Sequence, residues 1–342
     1  ASIYLELEED GHAHRLLFSG DLGYSGRAIL RDPATPPAVD TVVMETTYGD
    51  RLHKQLQPSI DELYDVVNAT IGRGGSVIIP TFALERAQEI LYYLREGVED
   101  RKIEHFTNVF LDSPMAISAT QIFERHPEFF DVETLKLSHD GADPFDLPGL
   151  HFTRETAESM AINQIDSGAV IMAGSGMCTG GRVRHHLRRL LGQRRSSVVF
   201  VGYAAQGTLA RRIVDGAREV RIFGHTIPVR ADVYTINGFS AHADQEQLLD
   251  WHRKTGDPQQ TFLVHGEEDE APTWGECLNR LIHGAARVLR RAFAQGYDDR
   301  PRSGVRFRPY APWKGALNIA QGQAWRGPGI DDQIKDDAPK WA

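Results

Sequence analysis

Gly238-Phe239-Ser240-Ala241-His242-Ala243-Asp244 and Leu263-Val264-His265-Gly266-Glu267 each place a histidine at the end of an apolar, strand-like run. A sheet presents such a residue at its rim, where the backbone holds the imidazole rigidly and one side of the ring stays open, which suits metal binding or proton transfer. Two carboxylates occupy the same setting earlier in the chain: Asp21 in Phe18-Ser19-Gly20-Asp21-Leu22-Gly23, and Glu45 in Val42-Val43-Met44-Glu45-Thr46-Thr47-Tyr48-Gly49-Asp50. Four ionisable side chains at four strand ends read as parts of one site.

Between the carboxylates and the histidines the pattern changes. Residues 1–18 alternate apolar and polar around a turn at Glu9-Asp10-Gly11, as in a hairpin, and Val39–Met44 reads as a buried strand. From about residue 58, helix-length and strand-length runs alternate: Ile60–Arg73, Ser76–Ile79, Leu84–Glu96, Asn108–Leu111, Ser118–Phe123, Ala169–Ala173, Arg182–Leu191 and Ser197–Val201. Such alternation favours a mainly parallel sheet covered by helices. Short strands return after Val220, with a helix at Gln245–Arg253. The simplest geometry is an α/β insert (56–217) looped out of one sheet domain (1–55 and 218–270), with the four residues at the cleft between them. Residues 271–342, rich in Arg, Gly, Pro and Ala, show one helix-like run at Glu276–Phe293 and are expected to be poorly ordered.

Composition narrows the partners. The net charge of −9 argues against a chain that coats nucleic acid, which needs a dense cationic surface. A local basic track is still present at Arg182, Arg184, His185, His186, Arg188 and Arg189. No apolar run approaches the roughly 20 residues that span a bilayer, so no membrane role is expected. Cys178 and Cys277, far apart, suggest neither a disulfide framework nor a cysteine zinc cluster, and a cytoplasmic location is the default.

Gly174-Ser175-Gly176-Met177-Cys178-Thr179-Gly180-Gly181 lies between a buried strand and a helix, where backbone NH groups and the helix dipole receive phosphate. By itself the loop is compatible with mononucleotide binding as well, although the spacing does not fit a P-loop lysine motif. Ser175, Gly176, Met177, Thr179, Gly180, Gly181 and Arg182 are its candidate substrate-binding residues. His12, His14, His53, His126, His139 and His225 stand in loops or polar contexts without partners at ligand spacing and are read as surface residues.

Over about residues 1–270 the chain resembles the β-CASP branch of metallo-β-lactamase-fold nucleases, especially prokaryotic RNA-processing members. The four segments above carry the likeness together with Ile79-Pro80-Thr81-Phe82-Ala83-Leu84-Glu85-Arg86-Ala87-Gln88-Glu89, Leu111-Asp112-Ser113-Pro114-Met115-Ala116 and the glycine loop. The resemblance implies an α/β protein: a partial αββα metallo-β-lactamase sandwich with an inserted β-CASP domain. It also implies two Zn2+ ions and phosphodiester hydrolysis in RNA. Asp21 falls on the metal-bridging aspartate and His265 on a zinc-ligand histidine, with Glu45 and His242 on the acidic and histidine partners beside the metals. Members acting on DNA carry an aliphatic residue where His265 stands, so RNA is the expected substrate; a homodimer is compatible with the family.

The chemistry fits these types. A bridging carboxylate such as Asp21 offsets the repulsion between two cations, and imidazole nitrogens such as that of His265 complete zinc coordination. His242 suits proton donation to the leaving oxygen without binding metal, with Glu45 fixing its ring. One departure stands out: no His-x-His-x-Asp-His run, the source of most zinc ligands in the family, occurs in the 342 residues. The reading therefore expects this chain to be the C-terminal part of a longer reading frame, inactive or weakly metal-binding by itself. A noncatalytic RNA-binding subunit and a 5′ exoribonuclease are the alternatives carried forward, with a small-molecule zinc hydrolase disfavoured because it has no use for so large an insert.

Overall fold

The computed structural model describes residues 2–9, 11–104 and 107–266, together with the backbone of 286–288, all within the compact unit Ala1–Arg290. Strands β1 (Ile3–Glu9) and β2 (His12–Phe18) pair antiparallel, with Ile3 opposite Phe18. Strand β3 (Thr41–Glu45) runs parallel to β2. The insert opens with α1 (Leu56–Gly72), β4 (Val77–Pro80), α2 (Arg86–Glu99), β5 (Asn108–Leu111) and α3 (Pro114–Arg125). It continues through α4 (Val132–His139), β6 (Leu150–Phe152), α5 (Thr156–Ala161), β7 (Ala169–Ala173), α6 (Val183–Leu190), β8 (Ser197–Phe200) and α7 (Leu209–Val214). A hairpin of β9 (Glu219–Ile222) and β10 (His225–Pro228) follows, then β11 (Asp232–Thr235), α8 (Gln245–Arg253), β12 (Gln260–Val264) and β13 (Ala286–Val288).

Two main sheets result. The first has the order β1-β2-β3-β12-β13, and the second, β11-β8-β4-β7-β5-β6, is parallel throughout. A parallel sheet needs both faces covered. Its strands divide their side chains accordingly: Val77 and Ile79 of β4 join Leu63 of α1 and Ile90, Leu91 and Leu94 of α2, whereas Ile78 joins Leu187 and Leu190 of α6 and Ile213 of α7. Each Leu or Ile buried in this way contributes roughly 1.5–3 kcal/mol. Gly75 is fixed by close approach, since a Cβ there would lie 1.7 Å from the Arg195 carbonyl oxygen.

Two boundaries differ from the sequence reading. Strand β11 pairs in register with β8, so the insert's sheet runs past residue 217 and the chain rejoins the first sheet only at β12. Ala286–Val288, inside the expected helix at Glu276–Phe293, pairs with the free edge of β12. An open parallel edge is a long-range partner that local helix propensity does not register. The expectation of disorder across 271–342 otherwise lies outside the described residues. No helix among the described residues is long and apolar enough to cross a membrane.

Helix α8 covers the first sheet through Leu248, Leu249 and Trp251, which meet Leu17, Val42, Met44 and Leu263. Beneath it, buried His252 binds Thr261 Oγ1 at 2.8 Å through Nε2, and burial pushes the ring down to about 4. Its folded pKa is thus below the ordinary value near 6.5, so the neutral ring favours the fold and that contribution is complete above pH 6.5. As pH falls from 6.5 toward 4 it is lost, by at most about 3 kcal/mol. Urea midpoints should drop over that window in the native chain and change less in His252→Gln; equal slopes would contradict the assignment.

Candidate active site

Parallel pairing of β3 with β12 sets Val264 beside Glu45. The residue that ends β3 and the residue that follows β12 therefore emerge at the same rim. His265 has a positive φ of 59°, a conformation that costs about 1–3 kcal/mol in a non-glycine residue. Threonines hold it there: Thr46 Oγ1 donates to the Val264 carbonyl at 3.0 Å, and Thr47 Oγ1 lies 3.1 Å from the His265 carbonyl and 3.2 Å from its Nδ1.

Asp21 reaches this rim on the turn after β2. Ser19 N–H donates to the Val43 carbonyl at 2.8 Å, Glu45 N–H donates to Ser19 Oγ at 3.0 Å, and Gly20 turns with φ 57°. The next residues, Leu22 to Tyr24, run antiparallel to Ala241–Ala243, with Ala243 N–H on the Leu22 carbonyl at 2.8 Å. That pairing delivers His242 to the same place, and Asp244 then caps α8 by accepting Gln247 N–H.

Glu45 is the organising group. Only 1% exposed, its carboxylate accepts hydrogen bonds from Leu22 N–H, from Thr47 Oγ1 at 2.7 Å and from His242 Nδ1 at 2.7 Å. An acceptor at Nδ1 fixes the tautomer and leaves the other ring nitrogen for chemistry. Burial of His242 opposes its charged form most strongly, but the Glu45 hydrogen bond and the charges of Glu45 and Asp21 outweigh it, and the net shift is upward.

Ligand atoms of Asp21, His242 and His265 all lie within 4.8 Å of one another, and Asp21 and His265 are largely exposed on the open side. One carboxylate and two imidazoles are a donor set suited to Zn2+. His242, assigned from sequence to proton transfer alone, thus stands inside the donor set as well. Three donors suit one catalytic zinc ion; a second ion needs ligands beyond these.

Two side chains in the wall carry no role in the sequence reading. Tyr48 is buried, with its ring 6.4 Å from that of His242 and 5.7 Å from that of Tyr203. Burial raises its hydroxyl pKa against the Ser240 hydrogen bond and nearby arginines. His53 is a correction: read as a surface residue, it packs edge-on to Tyr48 at 4.4 Å and its Nε2 lies 3.0 Å from the His242 carbonyl oxygen. Burial lowers its pKa, the His242 contact notwithstanding. Its place at the end of the Thr46–Asp50 run was the available signal.

The glycine loop follows β7. Gly176 lies against the Phe82 ring, and Met177 Sδ accepts Ala205 N–H at 3.3 Å, next to Tyr203. Tyr203, two residues before Ala205, meets the ring of Tyr48, which in turn stands 6.4 Å from that of His242. Gly181, with φ 74°, sits so close to the Gly174 carbonyl that a Cβ would lie 2.2 Å from its oxygen. Several amides expected for phosphate are engaged within the loop: Ser175 N–H with the Gly180 carbonyl, Cys178 N–H with the Ser175 carbonyl and Gly180 N–H with Ser175 Oγ. Thr179 is exposed. Arg182 turns inward, donating to Asp112 at 2.8 Å and to the Thr153 and Arg154 carbonyls at 2.9 and 2.7 Å. In this arrangement it anchors the loop.

A mixed sheet with a parallel α/β insert and a zinc-type donor set at its rim defines the class. The Beta-Casp domain family matches residues 87–213, and the Zn-dependent metallo-hydrolase RNA specificity domain matches 226–291. Ribonuclease TTHA0252 of Thermus thermophilus is 41% identical over 268 residues, covering 78% of this chain and 61% of that protein. Transcription termination factor FttA of Methanocaldococcus jannaschii is 35% identical over 280 residues (79% and 44%), and that of Thermococcus kodakarensis 35% over 267 (74% and 40%). The chain belongs to the β-CASP family of metallo-β-lactamase-fold proteins. It spans about three fifths of the Thermus relative and less than half of the archaeal ones.

Proposed function

We propose that this chain carries part of the active site of a zinc-dependent endoribonuclease. The observation that carries the reading is the convergence of Asp21, His242 and His265 beside a buried Glu45 that holds His242 by Nδ1. The RNA specificity domain matched over 226–291 and the ribonuclease name of the Thermus relative support RNA as substrate.

Zinc bound here would lower the pKa of a water nucleophile and offset charge on the phosphate. Asp21 and His265 would hold it, with His242 completing the set of three. Glu45 keeps the His242 ring in one orientation, so that its second nitrogen faces the donor set, where it either completes the ligands by its lone pair or, off the metal and protonated, passes a proton to the departing oxygen. Tyr48, packed against His53, stands on one side of that ring.

Three donors do not make two zinc sites, and we propose that this chain by itself holds metal weakly. A zinc titration showing two tightly held ions per chain would contradict that. Labelled single-stranded RNA, incubated with the protein and with any longer product of the same gene, tests the activity. Internal cuts that disappear with a chelator and in Asp21→Ala are expected. Cleavage that survives chelation overturns the metal reading, stepwise loss from one end favours an exonuclease, and chelator-insensitive binding without cutting favours a noncatalytic RNA-binding subunit.

A further inference from the structure

Arg27 lies in the segment that leaves β2, and its two terminal nitrogens serve different parts of the chain. One donates to the Gly238 carbonyl, four residues before His242, and the other to Glu89 on α2 of the insert. Glu89 Oε2 is also 3.7 Å from Arg86 Nε, and Arg86 donates to the Val201 carbonyl just beyond β8. The turn that receives Arg27 is clamped from the insert as well: a Cβ on Gly238 would lie 2.0 Å from Ser59 Oγ of α1, and buried Phe239 rests 5.7 Å from the Tyr93 ring of α2.

This is a costly way to join two elements. Side chains of Arg27 and Glu89 are only 12% and 8% exposed, and well-packed apolar groups often stabilise a contact as well as a buried ion pair does. Glu89 Oε1 and Arg86 Nε have no hydrogen-bond partner among the described residues. An incompletely satisfied buried network points to a need for geometry more than for stability. The pair also lines a cavity of about 530 Å3 that extends to Asp21, which places it between the insert and the site.

We propose that Arg27 and Glu89 are positioning residues through which the inserted domain fixes the loop that carries His242. The inference rests on His242 belonging to the reactive site. Glu89 holds Arg27, Arg27 holds the Gly238 carbonyl, and the short run from Gly238 to His242 has no slack because Phe239 is buried and Ala243 pairs with Leu22. The insert therefore sets where the imidazole stands, in addition to any surface it offers to RNA.

Hydrogen–deuterium exchange on the 342-residue chain tests this, with Co2+ titration followed by visible absorption as a second readout. In Arg27→Met and Glu89→Gln, amides of 237–243 should exchange at least about tenfold faster while β4, β7 and β8 keep their protection, and Co2+ affinity should fall about 10–100-fold, as when groups that orient metal ligands are removed. Unchanged exchange at 237–243 overturns the proposal, and so does a rise spread evenly over the insert, which marks a merely structural pair. Where Co2+ binds neither native chain nor variant, as weak metal binding by this chain allows, the exchange result alone decides the positioning role. Glu89→Gln, nearly isosteric, carries the test if Arg27→Met does not fold.

Discussion

His242→Ala is expected to lower metal-dependent RNA cleavage by about 10^2–10^4-fold, the range for loss of a positioned proton donor, with the fold kept but the thermal midpoint lowered, because buried Glu45 loses one of its hydrogen-bond partners. The ring is partly exposed, and when it is removed Glu45 keeps Leu22 N–H and Thr47 Oγ1 as hydrogen-bond partners. Glu45→Gln should approach the same loss by another route, because an amide in place of the carboxylate can present N–H to Nδ1 and turn the imidazole to the wrong tautomer. Cleavage rates on labelled RNA and circular dichroism melts, compared across native protein and both variants, check the pair. Retention of activity within about threefold in His242→Ala would remove the residue from the mechanism.

Asp112→Ala should destabilise the insert by about 3–5 kcal/mol, the usual consequence of stripping one partner from a buried ion pair. The carboxylate, fully buried at the end of β5, accepts from Arg182 at 2.8 Å and from His186, Thr153 and Ser159 at 2.7 Å each. Burial raises its pKa, but the hydrogen bonds from His186, Ser159 and Thr153 win and hold it at about 2. A folded pKa below the ordinary 3.8 means stability that is complete above about pH 4 and is lost as pH falls toward 2. Without Asp112, Arg182 loses its anchor, and the glycine loop that it terminates should become protease-sensitive before the rest of the insert. Urea unfolding that shifts by less than about 1 kcal/mol would show the network to be dispensable.

Strand ends were the legible part of this sequence. Asp21, Glu45 and His265 come at or just past the ends of β2, β3 and β12, whereas His242, read from sequence as a strand end, follows a turn at Asn237–Phe239, seven residues past β11 of the insert's sheet. The register of β3 against β12 with the Leu22–Ala243 pairing brings all four to one rim. Strands β5 and β7 fall where their periodicity puts them. What the sequence hid depends on tertiary partners. Asp112 stood in a quoted segment without a role because its four donors come from Thr153 onward, and Arg182 read as a phosphate contact because the carboxylate it faces is 70 residues away. His53 looked polar and solitary for the same reason; Tyr48, its neighbour in the fold, looks like any strand-end aromatic. Helices α4 and α5 are short and weakly patterned, which leaves little periodicity to detect.

The hydrogen bond between Glu45 and His242 joins positions 197 residues apart in the chain, across the whole insert. At about 5–20 residues per second of synthesis, roughly 10–40 s separate the emergence of one partner from that of the other. The insert has time to fold before the rim can close, and a nascent polypeptide on the ribosome lacks a finished centre until nearly all of residues 1–265 have been made.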